Sequence, residues 1–308
     1  MRVLADAPAT LAALTPPVAP RGDAPAALAP ADAAAVAALI GRADAWLGEG
    51  PGGFPGPMVA TAGAHRPQLH ALADAAAAGA PDDLATLALG GAFVGQRGRT
   101  WHAPPGNLQL AVRLRVGGPA VERQAGLAAL GSVAVAEAIA AASGGRVAPG
   151  TKWVNDLVVG TPMRKLAGVL AAADVQGDAM PSVRIGIGVN VAAAPELDDP
   201  EALPAAALAD LDGVFAAARA RADLAFAVVE RLAAWRDVWV QEGSAPLVDA
   251  YRARAAFLGR QVEVRPVAGG APIAVGVAED LTPDLRLVVA GHDAPIGTGR
   301  VRLRDEEG

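Results

Sequence analysis

The sequence predicts an α+β fold in which a mixed β-sheet is backed by a long helix and followed by a small β-domain. Two apolar strings with embedded polar residues, 151–157 and 164–170, flank a polar turn, which is typical of a β-hairpin. Residues 119–142 form an alanine-rich stretch with a proline at its start, which indicates a long helix. After residue 246, short apolar runs alternate with turn residues, and this pattern favours a domain of short strands.

The chain begins with an alanine- and proline-rich segment, for which we predict an N-terminal extension over residues 1–57. Prolines recur in this segment and interrupt any regular pattern, so that only 31–47 looks helical, with Asp32 as its N-cap. The glycine- and proline-rich stretch 50–57 is typical of a linker or an unusual entry loop.

Residues 58–245 are predicted to form one domain around the mixed sheet, and residues 246–308 a separate β-domain. Alternating apolar residues over 108–116 indicate a half-buried strand, and Gly79 is a suitable C-cap for the helix before it. The elements expected in chain order are a helix at 67–79, a strand at 84–89, a glycine-rich loop at 90–107, strands at 108–116 and 183–191, a helix at 221–241, a short helix at 250–258, and short strands at 261–265, 273–280, 285–290 and 300–303.

Composition argues against several classes of protein. The 308 residues include no cysteine, so disulfides and thiolate metal sites are absent, and the net charge of −6 disfavours a dedicated nucleic-acid-binding protein. We expect no apolar run to reach transmembrane length, and acidic residues come too early for a signal peptide. The expectation is therefore a cytoplasmic protein with no DNA or membrane partner.

Polar residues within the hairpin predict a binding site. Lys152, Asn155 and Asp156 lie in its first arm, and Arg164 and Lys165 lie in its second. Charged groups within an apolar sheet are costly unless they are paired or take part in function. Because cations flank an Asn-Asp pair, we predict a site for an anionic ligand and a metal ion.

Four segments together resemble the biotin protein ligase family. The hairpin strings K-W-x-N-D-L and R-K-L-A-G-V-L occur at 152–157 and 164–170. Upstream, Gly95-Gln-Arg-Gly-Arg-Thr-Trp101 and Pro105-Gly-Asn-Leu108 are similar to the second half of the family's glycine- and arginine-rich loop. Downstream, 186–191 is similar to the family's G-I-G-[IV]-N strand. The matches follow the family's order between residues 84 and 191.

The resemblance implies a fold, an activity and partners. The mixed sheet would be a catalytic domain of the biotin/lipoate ligase type, which is similar to class II synthetases. The C-terminal part would be an SH3-like β-barrel, whose usual entry matches Tyr251 through Val262. The implied activity is ATP-dependent ligation of biotin to a lysine of the biotin carboxyl-carrier domain of a carboxylase, through biotinyl-5′-AMP and with Mg²⁺. A homodimer is compatible with the resemblance.

The resemblance also implies roles for residues of the hairpin. Lys165 would hold the biotin carboxylate and the anhydride oxygens, and Asp156 would bind Mg²⁺ or orient the incoming lysine. Asn155 would assist with phosphate or metal. Lys152 would lie near the phosphates, with a surface ion pair as the alternative. Gly168 would permit the close approach of a flat ligand ring.

Nucleotide-binding roles fall on residues outside the hairpin. Asn190 would face the nucleotide, with a satisfied core asparagine as the alternative. Trp101 would pack over the loop or over the adenine. The loop residues implied in binding the triphosphate are Gly95, Gln96, Arg97, Gly98 and Arg99. The arginines among them offer guanidinium groups, although a solvated basic loop is the alternative.

The sequence departs from the family's pattern on the side that holds the biotin ring. The family's S-T-N motif is missing, Gly90 stands where a glutamine usually precedes the loop, and Gln96 stands in place of an arginine. Either the chain is a divergent ligase that uses other groups, such as Thr61, His65 or Gln68, or it is a non-catalytic pseudoenzyme. Lipoate–protein ligation shares the fold and the adenylate chemistry and is a further alternative.

Overall fold

The computed structural model describes residues 1–14, 18–42, 44–63, 67–91, 93–94, 100–101, 103–197 and 202–304. The strands are β1 (Arg2–Ala5), β2 (Ala19–Ala27), β3 (Asp44–Glu49), β4 (Met58–Thr61), β5 (Leu84–Ala88), β6 (Phe93–Val94), β7 (Thr100–Trp101), β8 (Leu108–Arg115), β9 (Gly150–Lys152), β10 (Asp156–Val159), β11 (Arg164–Gln176), β12 (Ala179–Val189), β13 (Gln261–Arg265), β14 (Ala274–Leu281), β15 (Leu287–Val289) and β16 (Arg300–Leu303). The helices are α1 (Pro8–Ala12), α2 (Pro30–Ile40), α3 (Gln68–Ala77), α4 (Ala120–Ala142), α5 (Leu208–Leu211), α6 (Ala220–Glu242) and α7 (Ala245–Arg252).

Ten strands form one mixed sheet in the order β2-β3-β1-β4-β5-β8-β12-β11-β10-β9. The pairs β1/β4 and β4/β5 are parallel, and the other neighbouring strands are antiparallel. The predicted hairpin is confirmed with one change. β10 and β11 flank the turn at 160–163, but the first string divides into β9 and β10 at a turn over 153–155.

Helices cover the two faces of the sheet unequally. α4 and α6 cover one face, on which alternate residues of β8 such as Leu108 and Leu110 are fully buried. Gly131 allows α4 to lie close to the sheet, because a Cβ atom at that position would come within 2.5 Å of Val169 Cγ1. α2 and α3 cover only part of the opposite face, over β3, β4, β8 and part of β12. The rest of this second face carries Lys152, Asp156, Lys165 and Gly168 of the predicted site.

Helix α4 is a core element, as the sequence predicts. It packs against β11 and β12 on one side and against α6 on the other, where Gly126 lies against the Trp239 ring. Its 23 residues make it, within the described ranges, the single helix long and apolar enough to cross a membrane. That length exceeds the expectation from the sequence, but the helix is mostly buried inside the fold.

The N-terminal segment belongs to the central sheet, which corrects the extension predicted over 1–57. β1, β2 and β3 form one side of that sheet, and β1 pairs in parallel with β4. Asp32 is not an N-cap, because α2 begins at Pro30 and the Asp32 carboxylate accepts two hydrogen bonds of 3.0 Å from the Arg2 guanidinium. These strands could not be predicted from the sequence because they are rich in alanine and proline, and neither residue is typical of a strand.

The C-terminal region forms a four-stranded antiparallel sheet in the order β15-β14-β13-β16. Its strands lie close to the predicted ranges, but the boundary expected at 246 does not divide the core. One cluster of buried apolar residues continues from the central sheet through Tyr251 and Phe257 into this sheet. The backbone N–H of Thr151 in β9 also donates to the carbonyl of Arg254 at 2.8 Å. The C-terminal region therefore supports the edge of the central sheet.

Candidate active site

One row of paired residues crosses the open face of the central sheet. Residues that pair directly on neighbouring strands point to the same face. The row consists of Thr61, Ala88, Gln109, Gly188, Gly168, Asp156 and Lys152. The two adjacent glycines carry no side chain, and they separate Gln109 at one end from Asp156 at the other; Gly168 is half-buried and Gly188 is buried. We call this stretch without side chains, formed by Gly168 and Gly188, the glycine floor.

An ion pair lies at one end of the glycine floor. Lys165 Nζ is 2.7 Å from Asp156 Oδ1, and the two side chains are 27% and 21% exposed. The register of β10 and β11 shifts after Leu157, so that Lys165 pairs with Val158. This bulge turns Lys165 to the face that carries Asp156, whereas a regular register would place it on the other face.

The backbone of Lys165 is fixed by the segment that follows β12. The Lys165 N–H donates to the carbonyl of Pro204 at 2.7 Å, and the Lys165 carbonyl accepts from the N–H of Ala206 at 2.9 Å. Both groups lie at the start of β11, where a frayed strand end would otherwise move. Backbone hydrogen bonds thus fix the position of Lys165, whose ammonium lies beside the carboxylate of Asp156.

Lys152 is buried opposite Asp156 at the edge strand β9. Lys152 is only 9% exposed, so it does not form the surface ion pair that was the predicted alternative. Burial lowers the pKa of the Lys152 ammonium, the Asp156 carboxylate opposes that shift, and the charges of Lys165, Arg300 and Arg302 add to it. Three other cations and one carboxylate thus act on Lys152, and this positive balance suits a polyphosphate.

The sequence contains a signal for this site that motif matching did not use. Of its 26 basic residues, only Lys152 and Lys165 are lysines, and the structure brings both to Asp156. A lysine ammonium is a compact point charge, whereas the planar guanidinium of arginine binds through a broad fork of donors. The presence of lysine at two positions in an arginine-rich chain therefore singles these positions out from the other basic residues.

The turn at 153–155 is held by the C-terminal region. Tyr251 is fully buried, its hydroxyl donates to the carbonyl of Val154 at 3.1 Å, and burial raises the pKa of this phenol. The indole Nε1 of Trp153 donates to the carbonyl of Leu285 at 2.8 Å. These bonds fix the connection between Lys152 and Asp156, so the geometry of the site depends on residues about one hundred positions away.

The two asparagines predicted to contact the nucleotide are engaged within the protein. Asn155 Nδ2 donates to the carbonyl of Val169 at 3.0 Å. Asn190 is 2% exposed, its Nδ2 donates to the carbonyl of Lys165 at 3.4 Å, and its Oδ1 accepts from Asn107 Nδ2 at 3.5 Å. This environment agrees with the predicted alternative for Asn190, a core asparagine with its hydrogen bonds satisfied. Its effect is to position the strand that carries Lys165.

Asn107 is a positioning residue whose importance the sequence does not reveal. It is buried just before β8, and its amide Nδ2 donates to the carbonyl of Ala193 at 2.8 Å. Its Oδ1 accepts from the N–H groups of Ala192 at 2.9 Å and of Ala193 at 3.2 Å. Asn107 lies in the matched Pro-Gly-Asn-Leu string, but its role depends on contacts 85 residues away in the chain.

Several predicted site residues lie outside the described ranges. These are the loop residues Gly95, Gln96, Arg97, Gly98 and Arg99, together with His65. The backbone of Trp101 lies in β7, where it pairs with Phe93, but its side chain is not among those described. The roles of these residues in binding ATP stay predictions.

The site fits a magnesium ion only in the company of a nucleotide. Within the described ranges, no three of the residues His, Cys, Asp and Glu lie together as a metal site would require. Asp156 is the carboxylate of the site, and it is already paired with Lys165. Mg²⁺ is commonly bound by one or two carboxylates with substrate phosphates and water, and this requirement Asp156 can meet.

Comparisons with known proteins agree with the motifs. The model of the biotin/lipoate A/B protein ligase family matches residues 88–190. The chain is similar to a biotin–[acetyl-CoA-carboxylase] ligase of Paracoccus denitrificans, with 31% identity over 199 residues that cover 64% of this chain and 79% of that protein. It is also similar to the enzyme of that name from Mycobacterium tuberculosis, with 35% identity over 218 residues, 67% of this chain and 73% of that one.

The fold is also similar to a solved structure. The structure of the biotin protein ligase from Aquifex aeolicus in complex with biotin and ATP aligns with a TM-score of 0.53 and 21% identity. The alignment covers 72% of this chain and 88% of that chain. The mixed sheet with its helices is therefore the fold of these ligases.

Proposed function

We infer that the chain, which belongs to the biotin–[acetyl-CoA-carboxylase] ligase family, is an enzyme that joins biotin to a lysine of a carboxyl-carrier protein with ATP. One observation carries this function. Lys152, Asp156 and Lys165 meet at the end of the glycine floor, inside the segment that matches the family model. The site thus combines cations for phosphate and carboxylate with a bare surface on which an acyl substrate can lie.

The first step brings two anions together. A carboxylate oxygen of biotin attacks the α-phosphorus of ATP, so that a new P–O bond forms biotinyl-5′-AMP and the bond to pyrophosphate breaks. Lys165 would hold the biotin carboxylate and then the anhydride oxygens, and the position of its ammonium at the end of the glycine floor supports this role. Lys152, Arg300 and Arg302 add positive charge for the phosphates.

The second step transfers the acyl group. The amine of a carrier lysine attacks the carbonyl carbon of biotinyl-5′-AMP, an amide bond forms, the C–O bond to AMP breaks, and the amine loses a proton. Asp156 would orient that amine, because it is the carboxylate that lies beside Lys165 at this end of the glycine floor. Mg²⁺, with Asp156 and Asn155 as its protein ligands, would neutralise phosphate charge when it is bound with ATP.

The direct test is transfer of biotin to a purified biotin carboxyl-carrier domain. We expect ATP-dependent biotinylation of that domain and release of pyrophosphate by the full-length protein. Lipoate in place of biotin should give much less product, and the Lys165→Ala variant should be the inactive control. If lipoate were transferred and biotin were not, the sister activity would replace this one. Binding of biotin without release of pyrophosphate would indicate a pseudoenzyme.

Three further properties are proposed with this function. We propose that the four-stranded C-terminal sheet is the core of an SH3-like barrel, supported by its antiparallel order and by a further bridge between Leu287 and Ile296.

We propose a cytoplasmic location, because the reaction needs ATP and an intracellular carrier. We also propose a homodimer, which light scattering on the purified protein would test.

A further inference from the structure

The side-chain nitrogen of Gln109 is a buried donor without a partner in the described part of the chain. The residue is 5% exposed, and its Nε2 has no hydrogen-bond partner among the described residues. A buried donor without a partner costs free energy, so most buried polar groups are paired in the folded protein or are completed by a ligand or water. Gln109 Nε2 is therefore a donor that an acceptor on a bound ligand can satisfy.

The position of Gln109 relates it to the site. It pairs with Gly188, which pairs with Gly168, which pairs with Asp156. Three spacings between neighbouring strands separate Gln109 from Asp156, which corresponds to about 14 Å across the sheet. A substrate that places its carboxylate at Lys165, beside Asp156, can extend over the two glycines and present its far end to Gln109.

A second buried amide borders the same surface. Gln68 is the first residue of α3, and its Nε2 is also buried without a partner in the described part of the chain. The next residue, Leu69, covers Gly186, which lies two residues before Gly188 on β12. The glycine floor is therefore bounded by α3 on one side, and Gln68 is carried to its border.

We propose that the Gln109 side-chain amide, assisted by Gln68, binds the cyclic urea of biotin and selects biotin over acyl substrates with apolar rings. This inference rests on the proposed function and deepens it by naming the groups that determine the substrate. The urea carbonyl is a strong acceptor for an amide N–H, and the urea N–H groups can donate to an amide oxygen. The dithiolane ring of lipoate offers only weak sulfur acceptors and leaves the amide unpaired.

The test measures binding of acyl ligands to the full-length protein by calorimetry. Gln109→Met keeps the volume of the side chain and removes the donor. We expect its affinity for biotin to fall about 10- to 100-fold, while its affinity for lipoate and octanoate stays within about threefold. The melting temperature of the free variant should be unchanged or higher, because Nε2 has no partner to lose among the described residues.

Ser132→Ala is the matched control. Ser132 Oγ is likewise buried with no partner among the described residues, but Ser132 lies on α4, against the opposite face of the sheet. Its replacement should leave affinity for biotin unchanged. If Gln109→Met failed to fold, wild-type protein would still answer the question with two analogues. Dethiobiotin keeps the urea and should bind, whereas diaminobiotin lacks the urea carbonyl and should bind at least tenfold more weakly.

The outcomes separate this inference from the proposed function. Equal affinity of wild type and Gln109→Met for biotin, with pyrophosphate release intact, would overturn the inference and leave the ligase activity standing. Binding of diaminobiotin as tight as that of biotin would overturn the inference in the same way. Failure of the wild-type protein to bind biotin would overturn both.

Discussion

The two ends of the glycine floor are built on different principles. At the charged end, Asp156 and Lys165 are paired at 2.7 Å and the turn beside them is fixed by Tyr251. At the ring end, the amide nitrogens of Gln68 and Gln109 have no partner in the described ranges. An unpaired buried charge costs far more than an unpaired buried amide. Asp156 and Lys165 are therefore paired with each other before the ligand binds, whereas the amide nitrogens at the ring end can stay unpaired until then.

The largest effect should follow from removing the ammonium at the charged end. Lys165→Ala takes away the contact to the carboxylate and the anhydride and leaves Asp156 without its partner. We expect pyrophosphate release to slow by about 10²- to 10³-fold, the size of a lost charge-assisted contact in a water-poor site. Single-turnover measurement of pyrophosphate with biotin and ATP gives this rate directly.

Arg164→Ala is the control for Lys165→Ala. Arg164 precedes Lys165 on β11 and pairs with Val159, so it carries the same charge on the other face of the strand. We expect its rate within threefold of wild type. Equal loss in both variants would mean that the face of the strand is irrelevant, and the charged end would lose its assignment.

Lys152→Met should separate stability from activity at the charged end. Burial lowers the pKa of Lys152, so a neutral side chain of similar length should raise the free energy of unfolding at pH 7. Affinity for ATP should fall about tenfold, because one cation beside the phosphates is lost. Urea unfolding and ATP binding measure the two effects, and a variant less stable than wild type would contradict the first.

The gain from Lys152→Met has a defined pH dependence. The pKa of Lys152 is depressed in the folded protein, so the unfolded chain binds more protons between that value and the ordinary lysine value of 10.5. Wild-type stability at this site therefore rises with pH across that window. The advantage of the methionine variant should shrink as pH approaches 10.5, and an advantage that grew with pH would contradict the assigned cause.

Tyr251→Phe tests how far the C-terminal region fixes the charged end. The change removes the hydroxyl that donates to the carbonyl of Val154 and leaves that carbonyl unpaired. We expect a loss of about 1–2 kcal/mol in unfolding free energy and a smaller, several-fold increase in the KM for ATP. Binding of biotin at the ring end should not change, and a larger effect on biotin than on ATP would contradict the division into two ends.

The pH dependence of Tyr251 provides a second readout. Its pKa is raised by burial, so its neutral form stabilises the fold fully below the ordinary value of 10.0, and this contribution is lost as pH rises above that value. Because the chain has one tyrosine, the absorbance of tyrosinate reports on this residue alone. We expect tyrosinate to form together with unfolding, and not before it.

The sequence predicts the charged end well because charge in an apolar strand is visible as a local anomaly. Lys152, Asp156 and Lys165 are within 14 positions of one another, and their strands are joined by short turns. The bulge that turns Lys165 toward Asp156 is not visible, since it depends on the register of two strands. Gln109 was missed because a polar residue between Leu108 and Leu110 indicates a solvent-facing position.

Elements that depend on contacts between distant residues could not be predicted from the sequence either. The strands of residues 1–57 contain few β-branched residues, so their sequence does not favour strands. They form because β1 pairs with β4 and lines the core. The contacts of Tyr251 and Leu285 with the turn at 153–155 join segments that are 97 and 132 residues apart. Nothing local in either segment specifies such a contact.

Amine labelling should give the smallest but most specific difference between the two ends. Lys152 and Lys165 are the only lysines, so an amine-selective acylating reagent can modify only the charged end and the N-terminus. We expect Lys165, the more exposed of the two, to react first, and Lys152 to react slowly because it is buried. Saturating ATP should protect both lysines several-fold, as measured by mass spectrometry of peptides. Lipoate alone, which leaves the phosphate site empty, should not protect Lys152, and equal protection of Lys152 by lipoate and ATP would mean that Lys152 does not bind phosphate.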